Sequence, residues 1–168
     1  MAYKDPENTL VMETTVGSVV IEMRPDLAPK HVERIKELAR GGEYDGVVFH
    51  RVIDGFMAQT GDVRFGNKNG ANFDPSRAGM GGSSKPDLPA EFNEANHGRG
   101  VCSMARAQNP NSANSQFFIV FEDASFLDRQ YTVWGQVIEG MENVDKIKRG
   151  EPVRDPDSIV SMKVAADL

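Results

Sequence analysis

Short runs of strand-forming residues, separated by turn residues, recur along almost the whole chain and restrict its fold more than any other feature. Within them apolar residues occupy every second position, which is the period of a β-strand with one buried face. The hairpin predicted over Leu10–Met23 shows this best, with Val19 and Ile21 on one face and Gly17 at the turn. Further strands are predicted at Val47–Ile53, Phe56–Thr60, Gly100–Ala105, Gln116–Phe121, Thr132–Val137 and 158–165.

Helical periodicity occurs in two segments. In LAPKHVERIKELARGG, Pro29 lies near the start, Ile35 and Leu38 belong to an apolar stripe, and Gly41 is the predicted stop. The second segment, MENVDKIKRG, follows Gly140. Many short strands with two helices predict one mostly-β domain over residues 1–168, a closed or nearly closed antiparallel barrel with helices capping its ends.

The segment from Asp62 to about Pro89 is rich in Gly, Asn, Ser and Pro and has no strand or helix period. We expect one long loop within the domain, because the strand pattern resumes after it. Loops of this length are usually functional or mobile. The role of its first part, Val63–Ala78, is left open by the sequence.

Composition excludes several classes of protein. The net charge of −6 argues against a nucleic-acid binder, which usually has a basic face. Cys102 is the single cysteine, so no internal disulfide forms. The N-terminal residues do not resemble a signal peptide, and no stretch is apolar enough to cross a membrane. We therefore expect a cytoplasmic protein that does not bind membranes.

Other candidate sites are weak. The glycine-rich run GMGGSSK lacks both the dinucleotide-binding and the P-loop patterns. His31, His50 and His97 have no second ligand at the spacing typical of metal sites. Ser115 with His50 is the one conceivable hydrolase pair, and no nucleophile elbow surrounds that serine. We expect neither a metal nor a cofactor.

Arg51 lies in the segment FHRVIDGFMAQTGD, among apolar residues and without a carboxylate in an obvious pairing position. Strand alternation places Phe49, Arg51 and Ile53 on one face. That pattern alone slightly favours an arginine on the outer surface, with its guanidinium group exposed to solvent. The alternative, in which all three residues face a ligand, stays open because an exposed face with Phe and Ile is unusual.

A second apolar cluster lies in QFFIVFEDASFLDRQYTVWG. Alternation predicts that one of Phe117 and Phe118 fills the interior and the other faces outward. Phe126, Leu127 and Tyr131 fall in a connection between strands. They pack either over the core or around an apolar pocket.

Three motifs, FHRVIDGFMAQTGD, SMARAQNPNSANSQFFI and FLDRQYTVWGQV, together resemble the cyclophilins, which are peptidyl-prolyl cis-trans isomerases. The resemblance runs from VGSVVIEM to EGMENVDKI and is closest to bacterial cytoplasmic members. It implies a closed eight-stranded antiparallel β-barrel with a helix at each end. It also implies an enzyme that speeds rotation about X-Pro bonds and so assists protein folding.

Carried over position by position, the resemblance implies that Arg51 is the catalytic arginine and that Gln59 assists it. Four residues match the pocket for the proline ring: Phe56, Met57, Phe118 and Leu127. The other positions implied to contact substrate are His50, Ala105, Arg106, Gln116, Phe126 and Tyr131.

Three positions depart from the family pattern, and two of them, Phe126 and Tyr131, differ from many eukaryotic members. Phe126 replaces a tryptophan and Tyr131 a histidine, and the lost indole N–H implies weak binding of cyclosporin. Arg106 replaces an asparagine whose backbone contacts the peptide, so we expect that contact to remain. The implied partners are proline-containing peptides and unfolded or folding proteins, and we expect a monomer.

Two other functions stay open. One is a module that binds proline peptides without turning them over. The other is a barrel that carries a small hydrophobic ligand.

Overall fold

The computed structural model describes residues 4–168. Eight strands occur in this part of the chain: β1 (Thr9–Thr14), β2 (Gly17–Met23), β3 (Arg51–Ile53), β4 (Met57–Thr60), β5 (Val101–Met104), β6 (Phe117–Val120), β7 (Val133–Glu139) and β8 (Ile159–Val164). Two α-helices accompany them, α1 (Pro29–Arg40) and α2 (Met141–Val144). Short 3-10 helices lie at Pro6–Asn8, Ser125–Leu127 and Ala165–Asp167.

All strand pairs are antiparallel, and the sheet has the order β3-β4-β6-β5-β7-β2-β1-β8. The mostly-β prediction and the strand count are therefore confirmed.

The prediction of a closed barrel is wrong, because the sheet curls into an open half-barrel with β3 and β8 at its edges. The predicted strand Val47–Ile53 forms a ladder only over its last three residues. The segment before β3 contacts the start of β8 through an isolated bridge, Val48 to Ser158, and through neighbouring backbone hydrogen bonds such as that from the N–H of Ile159 to the carbonyl oxygen of Val47. Farther along, the edge of β3 pairs at Val52 with Gly150, so β8 does not form a ladder with β3.

The two faces of the sheet carry separate apolar clusters. In β6, Phe117 and Ile119 belong to the main interior core, whereas Phe118 and Val120 belong to a second cluster on the outer face. This confirms that Phe117 and Phe118 point in opposite directions, as strand pleating requires. The outer cluster becomes part of the candidate site.

Helix α1 matches its prediction. It has a proline in its first turn and buries the stripe Val32, Ile35, Leu38 and Ala39. Helix α2 is only four residues long, shorter than its predicted segment. Gly140 precedes it at φ 86°, where a Cβ would lie 2.1 Å from the carbonyl oxygen of Ser18, so only glycine fits there.

Among residues 4–168, no helix is long and apolar enough to span a bilayer.

Candidate active site

Arg51 lies in a row of side chains that crosses the outer face of the sheet. It pairs with Gln59 across β3 and β4, and Gln59 pairs with Phe118 across β4 and β6. Directly opposed residues of antiparallel strands share a face, so these three side chains emerge together. The outward orientation of Arg51 and its position beside an apolar surface are both observed.

The guanidinium of Arg51 has two partners. Its Nε donates to Oε2 of Glu151 at 2.6 Å, and its Nη1 donates to Oε1 of Gln59 at 3.3 Å. The sequence offered no carboxylate in an obvious pairing position, and the fold supplies Glu151. Glu151 is 100 residues away in sequence and reaches Arg51 only through the tertiary fold.

The apolar pocket beside Arg51 is built by the outer cluster. Met57, Phe118 and Leu127 are buried in it, and Phe56 packs against them. These are the four residues that sequence motifs assigned to a proline ring. Phe126 is 65% exposed, and its ring centroid lies 5.6 Å from that of Phe56. The cluster is thus buried at Met57, Phe118 and Leu127 and exposed at Phe126.

Tyr131 and Arg106 form another part of the rim. The ring of Tyr131 packs edge-on against Phe118, with centroids 5.8 Å apart. The guanidinium carbon of Arg106 lies 4.4 Å from the centroid of Tyr131, which is a cation–π contact. Arg106 also donates to the carbonyl oxygen of Gln130 at 2.6 Å. Its side chain therefore holds the connection after β6 against the end of β5.

Amide side chains continue the row away from the pocket. Nε2 of Gln59 donates to Oε1 of Gln116 at 3.1 Å. Gln116 in turn donates to the carbonyl oxygens of Gly79 and Gly81 in the long loop. Ala105 donates its backbone N–H to the carbonyl oxygen of Gln116 at 3.0 Å, so these predicted groove residues also lie together.

A cleft of about 460 Å³ adjoins this amide row. Its walls come from the long loop and from the chain between β5 and β6. The side chains that line it include Arg64, Met80, Ser83, Asn114 and Gln116. Gln59 also lines this cleft, so the cleft adjoins the row that contains Arg51. We call the cleft and this row together the groove.

The long loop is anchored by the buried carboxylate of Asp62. Its Oδ1 accepts the N–H groups of Arg64 and Phe65, and its Oδ2 accepts those of Gly79 and Gly81. Asn114 supplies a second anchor by accepting two hydrogen bonds from Ser83. The loop therefore forms a defined wall of the groove.

His50 does not join the row. It is 7% exposed, and a Cβ at Gly79 would lie 3.1 Å from its ring, so the imidazole packs against the loop. Burial lowers the pKa of His50 to about 4, outweighing the opposite effect of Asp62. The structure thus separates this predicted substrate-binding residue from Arg51.

The other chemistry considered from sequence is not assembled here. The hydroxyl of Ser115 is buried and donates to the carbonyl oxygen of Gly61 at 2.7 Å, away from any base. Within residues 4–168, no group of three or more His, Cys, Asp or Glu side chains is placed to hold a metal ion.

Sequence reasoning missed Glu151, Asp62 and Asn114 as residues of the site. Asp62 is the last residue of the motif that contains Arg51, and only this position in the sequence indicated that it belongs to the site. Asn114 also falls inside a quoted motif. Glu151 had no signal, because its proximity to Arg51 depends on long-range pairing.

An antiparallel half-barrel that presents an arginine and a row of amides beside an apolar pocket defines a cyclophilin-like protein. The family model described as cyclophilin type peptidyl-prolyl cis-trans isomerase/CLD matches residues 9–164. The chain belongs to this family and is a peptidyl-prolyl cis-trans isomerase.

Curated relatives and solved structures agree. Probable peptidyl-prolyl cis-trans isomerases of Brucella suis and Brucella melitensis are 58% identical over 168 residues, covering 97% of this chain and 85% of each relative. Peptidyl-prolyl cis-trans isomerase-like 3 of Mus musculus is 38% identical, covering 84% of this chain and 82% of the relative.

Two crystal structures show the same fold. A cyclophilin from Hirschia baltica superimposes with a TM-score of 0.84 at 31% identity. The match covers 98% of this chain and 76% of the Hirschia baltica chain. A cyclophilin-type isomerase from Cryptosporidium parvum, crystallised in the presence of the dipeptide Ala-Pro, has a TM-score of 0.78 at 26% identity. This match covers 93% of this chain and 98% of the Cryptosporidium parvum chain.

Proposed function

We propose that Arg51 catalyses rotation about X-Pro bonds by binding the twisted amide more tightly than the planar one. The observation that carries this proposal is the row of Arg51, Gln59 and Phe118, which places a guanidinium at the edge of an apolar pocket. Rotation is slow because amide resonance creates a barrier of about 18–20 kcal/mol. The two X-Pro isomers differ by only about 0.5–1 kcal/mol, so the enzyme has to lower the barrier alone.

Arg51 lowers that barrier by donating hydrogen bonds. As the amide twists, the proline nitrogen regains a lone pair, and a guanidinium aimed at it favours the twisted state. Arg51 also holds the proline carbonyl, and Gln59 maintains its orientation. This is differential binding of the transition state, which needs no nucleophile.

The apolar pocket anchors the ring while the preceding carbonyl swings. Its walls are Phe56, Met57, Phe118 and Leu127. Their low-dielectric surroundings strengthen the hydrogen bonds from the nearby arginine. The cleft beside Gln116 and Ala105 accommodates the residues that precede proline.

Proline-containing segments of unfolded or folding proteins are the proposed substrates. Uncatalysed exchange takes roughly 10–100 s, slow enough to limit folding. We further propose that the protein acts as a monomer in the cytoplasm. The free, buried thiol of Cys102 agrees with a reducing compartment.

An NMR exchange measurement on an X-Pro peptide tests the role of Arg51. We expect Arg51→Ala to lose about a hundredfold in turnover, which is typical of removing a transition-state donor. Arg24→Ala is the matched control, since Arg24 is exposed to 42% and its carboxylate partner is Asp26. A folded Arg51→Ala variant with unchanged turnover would contradict the mechanism. Peptide binding by the wild type without turnover would instead support a binding module.

A further inference from the structure

Residues 149–153 run along the outer edge of β3 and bring a carboxylate opposite Arg51. The N–H of Val52 donates to the carbonyl oxygen of Gly150, and the N–H of Gly150 donates back to Val52, both at 2.8 Å. Antiparallel pairing of residue 52 with residue 150 places residue 151 opposite residue 51. Glu151 is therefore the cross-strand neighbour of Arg51 on one side, as Gln59 is on the other.

The two neighbours hold different donors of the guanidinium. Glu151 accepts from Nε at 2.6 Å, and Gln59 accepts from Nη1 at 3.3 Å. The bond to Glu151 is the shorter of the two, so it is the stronger restraint on the orientation of the guanidinium. Within residues 4–168, Nη2 donates no hydrogen bond. The restraints therefore set the plane of the guanidinium and leave donors for a substrate.

Stability of the fold does not account for this contact. The side chains of Arg51 and Glu151 are 41% and 58% exposed, and exposed ion pairs contribute little to stability. The segment is held without the carboxylate, through Gly150 and through the N–H of Val153, which donates to the carbonyl oxygen of His50. Across the described chain, Arg51 is the one hydrogen-bond partner of the Glu151 side chain.

We propose that Glu151 is a positioning residue that orients the guanidinium of Arg51 for isomerisation. This inference rests on the catalytic role proposed above for Arg51. Glu151 acts through geometry: it supplies an acceptor at a set position, so Nη donors meet the twisted amide without first reorienting. Small misplacements of a catalytic group cost rate more than binding. The ring pocket lies across the row from Glu151, so substrate affinity depends little on this residue.

Two substitutions separate geometry from charge. Glu151→Gln keeps an acceptor oxygen at the same position and removes the negative charge. Glu151→Ala removes both. We expect Glu151→Ala to lower kcat about tenfold with KM changed less than about twofold, and Glu151→Gln to keep at least about half of wild-type kcat. Glu7→Ala is the control, because Glu7 is 52% exposed and pairs with Arg40, which is 40% exposed.

A second measurement does not depend on turnover. The Nε–H of Arg51 is followed by NMR in the free protein through its chemical shift and its hydrogen exchange with water. We expect it to be protected in wild type and in Glu151→Gln, and to exchange at least about tenfold faster in Glu151→Ala, because only the last lacks the acceptor. Thermal unfolding verifies that all variants fold.

Each outcome decides the proposal. Equal kcat for Glu151→Ala and wild type would overturn it. Equal losses of kcat in Glu151→Gln and Glu151→Ala would also overturn the proposal, because the charge of Glu151 and not its acceptor oxygen would then account for the effect. Unchanged exchange of the Nε–H in Glu151→Ala would refute the geometric restraint itself. If Arg51→Ala kept full turnover, the proposed mechanism would fail, while the NMR result would still report on Glu151.

Discussion

The side-chain amide of Gln59 donates a 3.1 Å hydrogen bond to Gln116, and the two glutamines join Arg51 to the long loop. Arginine has only donors, so Gln59 turns its oxygen toward Arg51 and its nitrogen toward Gln116. Gln116 then turns its own nitrogen to the carbonyl oxygens of Gly79 and Gly81. The charge of Arg51 thereby determines the orientation of both amides.

Removing the first amide tests this chain of hydrogen bonds. Gln59→Leu deletes the acceptor for Arg51 and the donor to Gln116. We expect turnover of an X-Pro peptide to fall about tenfold or more, because a guanidinium displaced from its reactive position loses rate. Gln136→Leu is the control, since its amide donates to the backbone carbonyl of Arg99 outside the groove. Equal turnover in both variants would contradict a role for Gln59.

The long loop depends on Asp62, whose buried carboxylate accepts four backbone N–H groups. Asp62→Ala leaves those donors without an acceptor. We expect the free energy of unfolding to fall by about 3 kcal/mol, because buried unsatisfied donors are costly. Urea denaturation measures this loss, and hydrogen exchange at Gly79 and Gly81 reports the loosened loop.

Asp74→Ala is the matched control for that experiment. Asp74 lies in the same loop, but it is only partly buried and its side chain bonds to Ser76 nearby. We expect at most a small loss of stability. If both variants lost the same amount, the anchoring role of Asp62 would be refuted.

Burial of His50 makes stability depend on pH. Its pKa falls from an ordinary value near 6.5 to about 4 in the folded protein. Above pH 6.5 the imidazole is neutral in both states. Between pH 6.5 and 4 only the unfolded state gains the proton, so stability decreases as the pH falls. The total loss from His50 is about 3 kcal/mol, because one pKa unit corresponds to about 1.4 kcal/mol.

Chemical denaturation at pH 7 and pH 5 measures this dependence. His50→Gln removes the titrating group, and we expect the difference in stability between the two pH values to become smaller than in wild type. The comparison uses this difference, so a uniform loss of stability from the substitution does not affect it. Identical differences in both proteins would show that His50 does not titrate as described.

The family resemblance implies that Phe126 weakens the binding of cyclosporin. The ring is exposed at the pocket rim and has no N–H donor. We expect Phe126→Trp to bind cyclosporin about tenfold more tightly, because an indole N–H adds a hydrogen bond of about 1 kcal/mol and further apolar area. Phe92→Trp is the control, since Phe92 is also exposed. Equal affinities of wild type and Phe126→Trp, measured by calorimetry, would exclude this role.

Local patterns predicted the strands and the helix α1 well, because alternation and helical stripes reflect which side of each element is buried. The pocket residues Phe56, Met57, Phe118 and Leu127 were predicted through long motifs, and the structure brings them together. Closure of the barrel was predicted incorrectly. It depends on whether the edge strands β3 and β8, which are far apart in sequence, form a ladder, and no local pattern encodes that pairing.

The sequence by itself determined a mostly-β domain and the family, since strand periodicity and three long motifs are local properties of the chain. Only the tertiary structure decided what surrounds Arg51. Strand register placed Gln59 on one side and the 149–153 segment placed Glu151 on the other. It also turned His50 away into the loop. Such neighbours follow from long-range backbone pairing, which depends on the whole sheet and not on adjacent residues.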